Sequence, residues 1–261
     1  MLPDILRPHA AAPGQCALCL DFDGTLSAIV DDPVAARPWP GVPALLEGLA
    51  HTFAVVAVIS GRPVQFLHDV LGGPAGVRLV GLYGLERRNP ADGRRQVVPE
   101  AQPFEAVMAD IVERARAEAP AGVYVEPKGL TLTLHWRHAP DEQSWVEQFV
   151  QREVATRELQ VHRGRMELEL RPPLAVDKGT VVRELTRGMQ AMAIFGDDIG
   201  DLPGFAAAGA LRQDGVAVAR IAVVDAESNP AVAAEADLTV DGPAGALALL
   251  ETLLEAARPR G

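Results

Sequence analysis

The chain has 261 residues, of which 48% are apolar and 23% are charged, and its formal net charge is −11. This composition is typical of an ordinary globular protein with one large or two small domains and enough apolar residues for a core. The negative charge argues against a nucleic-acid-binding surface and against a polybasic membrane patch, so we expect neither kind of partner.

The N-terminal segment has no charged start followed by an apolar stretch, so no signal peptide is expected. No apolar run approaches the ~18 residues that a membrane-spanning helix needs. Cys16 and Cys19 are the two cysteines, and their spacing superficially matches a redox or metal pair. They enter an apolar run and lack a helix N-terminus or a second Cys or His cluster, which favours two small buried residues. A reducing, cytoplasmic setting is therefore expected.

The first hundred residues alternate between apolar runs, which predict buried strands, and amphipathic stretches, which predict helices. The predicted strands are 17–22, 53–59 and 77–81, and the predicted helices are 43–50 and a segment capped by residues 60–63 that runs to about 71. This β-α-β-α-β order implies a parallel sheet with right-handed crossovers. Residues 86–97 then predict a hairpin that turns at Asp92-Gly93.

The middle of the chain predicts a small α+β insertion with an antiparallel sheet, because residues 130–136 alternate like a strand with one wet face. Its predicted elements are helices 104–118 and 141–156 and strands 124–126, 130–136, 161–163 and 166–171, the last two turning at Gly164. After Asp177 the first pattern resumes, with a helix to about 187, strands 191–195 and 222–225, and helices after Asp201 and over 243–257. We therefore predict a core of residues 1–98 and 174–261, with a cap, or lid, domain over 99–173.

Residues that can carry chemistry follow the ends of the predicted strands, where open parallel sheets bind their ligands. Asp21 and Asp23 follow the first strand: Asp21 can be a nucleophile or a metal ligand, and Asp23 can donate and accept protons. Gly24 permits the chain to turn tightly over such a site. Ser60 and Gly61 come before a predicted helix, where a hydroxyl and backbone N–H groups can bind a phosphate.

Two further groups lie at the same predicted edge. Lys178, one of only two lysines among the 24 basic residues, begins a helix and could supply a point charge. Asp197, Asp198 and Asp201 follow another strand, and they would repel one another unless a cation lies among them; oxygen-only ligands favour Mg²⁺. Each feature alone has an ordinary explanation as a turn, a helix cap or a solvated lysine. Their shared placement at one sheet edge indicates a site.

The order Asp-x-Asp-Gly-Thr, Ser-Gly, Lys and Gly-Asp-Asp-x-x-Asp resembles the haloacid dehalogenase (HAD) superfamily of phosphatases. Motifs in the middle of the chain resemble the trehalose-6-phosphate phosphatases, and the resemblance spans about residues 18–250. These motifs are Gly81–Arg88, Val125–Leu130, His135–Arg137 and Glu169–Pro172. The resemblance implies an α/β fold, with a Rossmann-like HAD core built on a parallel sheet and an inserted α+β cap of the C2 type that gives substrate specificity.

The resemblance also implies Mg²⁺-dependent hydrolysis of trehalose 6-phosphate to trehalose and phosphate, through an aspartyl-phosphate on Asp21. Asp23 would protonate the leaving sugar oxygen and then activate water, while Ser60 and Lys178 would bind the phosphoryl oxygens. The ion would be held by Asp21, the backbone carbonyl of Asp23 and Asp197. The remaining implied roles are Asp198 and Asp201 in orienting Lys178 or a metal-bound water, Gly61 and Arg62 in binding the substrate, and Glu126, Lys128, Arg137 and Glu169 in binding the sugar hydroxyls.

Three features depart from the family pattern, and they leave the identity of the sugar open. Tyr83 stands where His is common, Pro127 replaces an acidic residue, and Gly200, Leu202 and Pro203 interrupt the acidic stretch after Asp197-Asp198. For Glu126 and Arg137, the alternative is a merely solvated lid strand.

The alternative functions begin with a HAD phosphatase of a trehalose-like pseudo-disaccharide, sucrose phosphate or glycosylglycerate phosphate. A metal-dependent glycosyltransferase could use Asp21-x-Asp23, but it would leave Ser60, Lys178 and Asp197 without roles. A non-catalytic regulator of a synthase is disfavoured because no chemical position is substituted. We expect a cytoplasmic monomer whose small-molecule partner is a sugar phosphate, with a trehalose-phosphate synthase as its functional partner.

Overall fold

The computed structural model of the chain describes residues 1–30, 32–88, 90, 92–164, 166–225 and 228–258. It divides into two compact units, one formed by Met1–Gln96 with Val176–Gly261 and the other by Val97–Ala175. Within the described ranges, every helix is too short or too polar to cross a membrane.

The first unit is built on a large, mostly parallel sheet, as the alternating apolar runs predict. In the described part of the chain it has eight strands in the order β12-β11-β10-β1-β2-β3-β4-β5. Neighbours from β12 to β3 pair in parallel, and β4 pairs with β3 in the antiparallel direction. The strands are β1 (Cys16–Leu20), β2 (Val55–Ile59), β3 (Arg78–Gly81), β4 (Glu86–Arg88), β5 (Arg95–Val97), β10 (Ala191–Gly196), β11 (Ala217–Val224) and β12 (Leu238–Asp241).

Helices cover both faces of this sheet, because its central strands are apolar on both sides. Alternate residues of β1 show the division: Leu18 and Leu20 pack with one apolar cluster, and Ala17 and Cys19 pack with the other. The first cluster includes residues of α2, α3 and α9, and the second includes residues of α6, α7 and α8. The helices are α1 (Arg7–Ala11), α2 (Val42–Thr52), α3 (Val64–Leu71), α6 (Lys178–Leu185), α7 (Leu202–Gln213), α8 (Pro230–Glu235) and α9 (Gly242–Ala257).

Both cysteines lie in β1 as buried, unbonded thiols, as their apolar surroundings predict. Burial raises the pKa of Cys16 and of Cys19 to about 12. Thiols with such pKa values are poor nucleophiles and poor metal ligands. Their role in this fold is therefore to fill space between the sheet and its helices.

Among its described residues, the second unit has a four-stranded sheet with the order β6-β7-β9-β8 and two α-helices. Leucines of β7 and β9 point to one face, where they pack with apolar residues of both helices. The opposite face carries mainly polar side chains, because side chains alternate along a strand. The elements are α4 (Phe104–Glu118), β6 (Tyr124–Pro127), β7 (Leu132–His135), α5 (Gln143–Thr156), β8 (Gln160–Gly164) and β9 (Glu167–Arg171).

Several details differ from the sequence-based predictions. α1, α8 and β12 are not predicted, and β11 begins five residues before the predicted start at 222. The predicted hairpin over 86–97 is formed by β4 and β5, which are neighbours in the sheet, although Asn89 and Ala91 lie outside the described residues. These differences leave the α/β architecture as predicted.

Candidate active site

Asp21 and Asp197 lie side by side because β1 and β10 are neighbouring parallel strands that end together. The Asp21 N–H donates to the Phe195 carbonyl at 3.0 Å, which extends the strand pairing to the site. Gly24, at φ +75°, turns the chain back over this point, and a Cβ there would lie 2.0 Å from Asp197 Oδ2. A glycine is required here by the left-handed backbone and by the close approach of the carboxylate.

Lys178 connects the end of β1 to the loop after β10. It is the first residue of α6, whose start is fixed by a capping box between Asp177 and Thr180. The buried Nζ donates to Asp21 Oδ1 at 2.5 Å and to Asp201 Oδ1 at 2.6 Å. Burial would lower the pKa of Lys178, but Asp201 and Asp21 outweigh it and raise that pKa. The lysine is therefore a fixed positive charge beside Asp21.

Asp201 organises the loop that follows β10. Its Oδ2 accepts the backbone N–H groups of Asp197 at 3.1 Å and of Asp198 at 3.2 Å. Asp198 is exposed, and its Oδ1 accepts the Ile199 N–H at 2.6 Å as a cap of the short turn. Of the two residues expected to orient Lys178, Asp201 is the one that contacts it.

The carboxylates in this cluster form an arrangement suited to a hard cation. Asp21, Asp197 and Asp201 each offer an oxygen atom, and these atoms lie within 4.8 Å of one another. Asp197 Oδ1 is buried without a hydrogen-bond partner among the described residues. Burial, together with Asp21 and Asp201, raises the pKa of Asp197, and burial also raises the pKa of Asp21 despite Lys178. An oxygen-binding cation would relieve this crowding, so the residues fit Mg²⁺.

Ser60 follows β2 in a turn that leads into α3. The Ser60 hydroxyl is buried and accepts the Arg62 N–H at 3.1 Å. The N–H of Val64, the first residue of α3, donates to the buried carboxylate of Glu86 at 2.5 Å. Two backbone N–H groups of this turn therefore already have acceptors. The Ser60 hydroxyl is the side-chain group of this turn that the sequence predicts to contact the phosphate.

Tyr83 lies against the Ser60–Gly61 turn. Tyr83 and Leu82 have left-handed φ values of 58° and 49°, and the Tyr83 N–H donates to the Ser60 carbonyl at 2.9 Å. A Cβ on Gly61 would lie 2.5 Å from the Tyr83 hydroxyl, and one on Gly200 would lie 3.4 Å from its ring. The ring therefore occupies space between the two loops, a contact that sequence patterns do not predict.

Asp23 is held by a forked ion pair with Arg62. The Arg62 Nε donates to Asp23 Oδ2 at 2.8 Å, and its Nη2 donates to Oδ1 at 2.7 Å. The family resemblance implies that Arg62 binds the substrate, whereas its guanidinium here contacts Asp23, the expected acid and base. This ion pair joins the loop that follows β1 to the loop that follows β2.

The second unit contains a polar cluster on the face of its sheet that carries polar side chains. Lys128 Nζ lies 3.5 Å from Glu126 Oε2 and 3.7 Å from Glu169 Oε1. Glu169 also accepts from Thr131 Oγ1 at 2.8 Å and from Arg171 Nε at 2.7 Å. Burial would raise the pKa of Glu169, but Lys128 and Arg171 outweigh it and lower that pKa. These ionised groups can bind a ligand rich in hydroxyls.

His135 belongs to the same face, although it is absent from the predicted site residues. Its Nε2 lies 2.8 Å from Glu126 Oε2, and its Nδ1 lies 3.0 Å from Glu167 Oε2. Burial would lower the pKa of His135, but hydrogen bonds with Glu126 and Glu167 outweigh it and raise the pKa. The alternation of β7 and β9 contains the signal for this contact, because it places these polar residues on one face. Arg137, by contrast, lies in the exposed turn after β7.

The raised pKa of His135 predicts a pH-dependent stability. A basic group whose pKa is raised on folding stabilises the folded chain fully below its ordinary pKa of about 6.5 and loses that contribution as the pH rises through the folded value. We expect the free energy of unfolding to fall as the pH rises above about 6.5, and this fall to be smaller in His135→Gln. Urea unfolding across pH 5–9 measures it, with His138→Gln, in the exposed turn, as the matched control.

The chain is similar in sequence to a family of known proteins. A family model described as Trehalose-phosphatase matches residues 19–242. A "Probable trehalose-phosphate phosphatase" of Sinorhizobium fredii is 36% identical over 193 residues, which cover 71% of each chain. The "Trehalose-phosphate phosphatase" of Mycobacterium marinum is 35% identical over 235 residues, which cover 83% of this chain and only 58% of that relative.

Solved structures share the fold at lower sequence identity. The C-terminal domain of Candida albicans trehalose-6-phosphate phosphatase has a TM-score of 0.77 at 22% identity and covers 97% of this chain and 98% of that chain. The C-terminal domain of the Candida albicans trehalose synthase regulatory protein has a TM-score of 0.65 at 12% identity and covers 99% of both chains. The fold therefore occurs in proteins described as a phosphatase and as a regulator, and the side chains must distinguish the two.

Proposed function

The chain belongs to the trehalose-phosphatase family, and on that premise we propose that it hydrolyses trehalose 6-phosphate to trehalose and phosphate. The observation that supports this proposal best is the buried cluster in which Lys178 contacts Asp21 beside Asp197. Such a cluster is costly to bury, and it places a carboxylate next to groups that can hold an anion. The relatives named above carry the substrate in their names.

We propose that Asp21 attacks phosphorus and forms an aspartyl-phosphate, as the nucleophile of a two-step displacement. The proposed Mg²⁺ ligands are Asp21, the backbone carbonyl of Asp23 and Asp197, and the position of Asp201 makes it the third carboxylate of this cluster. When bound, the ion supplies positive charge that offsets the repulsion between the Asp21 carboxylate and the phosphate.

The other core residues act on the proton and on the phosphoryl oxygens. Asp23 gives a proton to the sugar oxygen as the P–O bond breaks, and then takes a proton from the water that hydrolyses the aspartyl-phosphate. Ser60 and Lys178 hold the phosphoryl oxygens as their charge spreads. Asp201 orients Lys178 through its short contact with Nζ, and the backbone N–H of Gly61 is the proposed further donor to the phosphoryl oxygens.

We assign recognition of the sugar to the second unit, acting as a cap. Its proposed contacts are the charged groups on the polar face of the sheet: Glu126, Lys128 and Glu169, with Arg137 from the turn after β7. Their oxygens and nitrogens match a substrate made of hydroxyls, and a sugar lacking one hydroxyl would leave a group unpaired. His135, whose Nε2 lies 2.8 Å from Glu126 Oε2, adds a further polar group to this set.

The proposal is tested with a panel of sugar phosphates. Phosphate release is measured for trehalose 6-phosphate, a pseudo-disaccharide phosphate, sucrose phosphate and glycosylglycerate phosphate, and kcat/KM is compared. Trehalose 6-phosphate should be among the best substrates. A better turnover of another sugar phosphate would move the assignment within the same chemistry. Binding of a nucleotide-sugar, or of trehalose 6-phosphate without any turnover, would instead support a glycosyltransferase or a regulator.

A second test concerns the metal site. A ligand that binds the folded chain but not the unfolded chain raises the stability of the protein. Mg²⁺ added to chelator-treated protein should therefore raise the Tm by several degrees. In Asp197→Asn we expect this Mg²⁺-dependent shift to disappear, because the buried carboxylate is a proposed ligand, and phosphatase activity to be lost with it. Asp92→Asn, in the exposed turn before β5, should keep the full shift. A full shift in Asp197→Asn would contradict the assignment of this ligand.

Assembly and location remain part of the proposal. We propose a cytoplasmic monomer whose two buried cysteines stay unbonded thiols in a reducing compartment, and a trehalose-phosphate synthase as the enzyme that supplies the substrate. Size-exclusion chromatography with light scattering tests the monomer. A pull-down with a purified synthase tests for physical pairing.

A further inference from the structure

The forked contact between Arg62 and Asp23 is the strongest feature of the core that the proposed reaction leaves without a role. Two nitrogens of one guanidinium donate to the two oxygens of one carboxylate, at 2.8 Å and 2.7 Å. This geometry requires arginine, because a lysine ammonium cannot match both oxygens of a carboxylate at once. The side chains are 13% and 35% exposed, so the pair is shielded mainly on the arginine side.

The guanidinium is itself held from two other directions. Its Nη1 donates to the Pro33 carbonyl at 2.8 Å, and its central carbon lies 4.9 Å from the centre of the ring of Phe66, a residue of the first turn of α3. Arg62 is therefore fixed before any substrate arrives, since each direction of the planar group has a partner.

The same aromatic ring also supports the backbone that carries Asp23. Phe66 packs edge-on against Phe22, with ring centres 6.1 Å apart, and Phe22 is fully buried between Asp21 and Asp23 in the chain. Phe22, Phe66, Arg62 and Asp23 thus form a closed circuit of contacts. This circuit restrains the Asp23 carboxylate from its backbone side and from its oxygen side.

We propose that Arg62 is a positioning residue that fixes the Asp23 side chain for proton transfer, an inference that rests on the proposed phosphatase reaction. The fork holds the ionised form, which takes the proton from water; in the protonated form one oxygen keeps its contact with Arg62 and the other carries the proton that goes to the sugar oxygen. Proton transfer requires the carboxyl group within hydrogen-bond distance of the leaving oxygen, and small displacements of a reacting group are costly in rate. Asp23 has a partly exposed side chain, so without the fork it would sample other rotamers. The fork and the ring remove that freedom.

The competing role for Arg62 is direct binding of the substrate phosphate. The two roles differ in what they do to binding and to different leaving groups. A residue that binds the phosphate contributes equally to the binding of every phosphate ester and to the binding of inorganic phosphate, which acts as an inhibitor. A residue that positions the acid matters for a sugar alkoxide, which needs a proton to leave, and matters little for p-nitrophenolate, which leaves without one.

The experiment compares wild type, Arg62→Lys and Arg62→Ala on trehalose 6-phosphate and on p-nitrophenyl phosphate. In both variants we expect kcat for the sugar phosphate to fall by about 10²-fold. Single-turnover release of p-nitrophenolate and the inhibition constant of inorganic phosphate should both stay within about threefold of wild type. Arg37→Lys is the matched control, because Arg37 binds carbonyls of the same loop as Pro33, and it should retain wild-type rates.

A double-variant cycle tests whether Arg62 acts through Asp23. Adding Arg62→Ala to Asp23→Asn should cause no further loss, because residues that act as one unit are not additive. The proposal would be overturned if the losses of the two single variants multiplied in the double variant. It would also be overturned if the Arg62 variants lost activity equally on both esters, or if inorganic phosphate inhibited them more weakly than it inhibits wild type. Thermal unfolding checks the fold, and Arg62→Lys carries the test if the alanine variant unfolds. A wild-type chain that hydrolyses neither ester would instead refute the proposed function, and the role of Arg62 with it.

Discussion

Asp21→Asn is expected to reduce the release of phosphate from trehalose 6-phosphate by at least ~10⁴-fold while the fold persists. The amide has the shape of the carboxylate but cannot attack phosphorus, so the first chemical step is lost. Its oxygen can still accept the hydrogen bond that Lys178 donates at 2.5 Å. Steady-state phosphate release and mass spectrometry of the trapped phosphoenzyme measure the effect.

The stability of this variant provides its control. Burial and Asp201 raise the pKa of Asp21, so a neutral side chain at this position removes repulsion as well as an ion pair. We therefore expect the Tm of Asp21→Asn to equal or exceed that of wild type. Asp69→Asn, on the exposed side of α3, should change neither property. Turnover of Asp21→Asn within tenfold of wild type would refute the role of Asp21 as the nucleophile.

The parallel core could be predicted because its central strands are buried on both faces. Strands such as β1 and β2 are continuous apolar runs, and such runs are visible in the sequence alone. The pattern predicts β11 only from 222, because Arg220 interrupts its apolar run. In the structure, Arg220 lies within the strand and pairs with Asp237 at 3.2 Å. No local pattern predicts a partner 17 residues away.

The candidate site shows the same limit. The sequence predicts candidate catalytic and metal-binding residues at the ends of strands, and the parallel sheet brings those ends together. It does not say which of two nearby carboxylates turns inward: Asp201 is buried against Lys178, whereas Asp198 is exposed. It also does not show that Arg62 is paired with Asp23. These contacts depend on side-chain directions in turns, which have no periodicity.

The two lysines of this arginine-rich chain lie in similar surroundings. Lys128 lies between Glu126 and Glu169, and Lys178 lies between Asp21 and Asp201. Each is a compact ammonium placed between two carboxylates, where a larger planar guanidinium would need more space. Both lysines of the chain therefore occupy positions where an ammonium lies between two carboxylates.

Lys178→Met is expected to lose both activity and stability, which separates it from Asp21→Asn. Removing the ammonium leaves Asp21 and Asp201 as buried carboxylates without their cation, at a cost of about 3–5 kcal/mol. For a chain of this size, that corresponds to a fall in Tm of about 10 °C. The loss of a donor to the phosphoryl oxygens should lower kcat by about 10³-fold. Differential scanning calorimetry and phosphate release measure the two effects.

A second substitution distinguishes the electrostatic cause from a packing defect. In Lys178→Met with Asp201→Asn, one of the two unpaired carboxylates is neutral, so most of the lost stability should return. Activity should stay low, because the positive charge beside Asp21 is still missing. Lys178→Arg keeps the charge without the shape, and its activity should also stay low. A double variant as unstable as Lys178→Met would show that the lysine stabilises the core through its packed aliphatic stem, and that Asp201 is not its electrostatic counterpart.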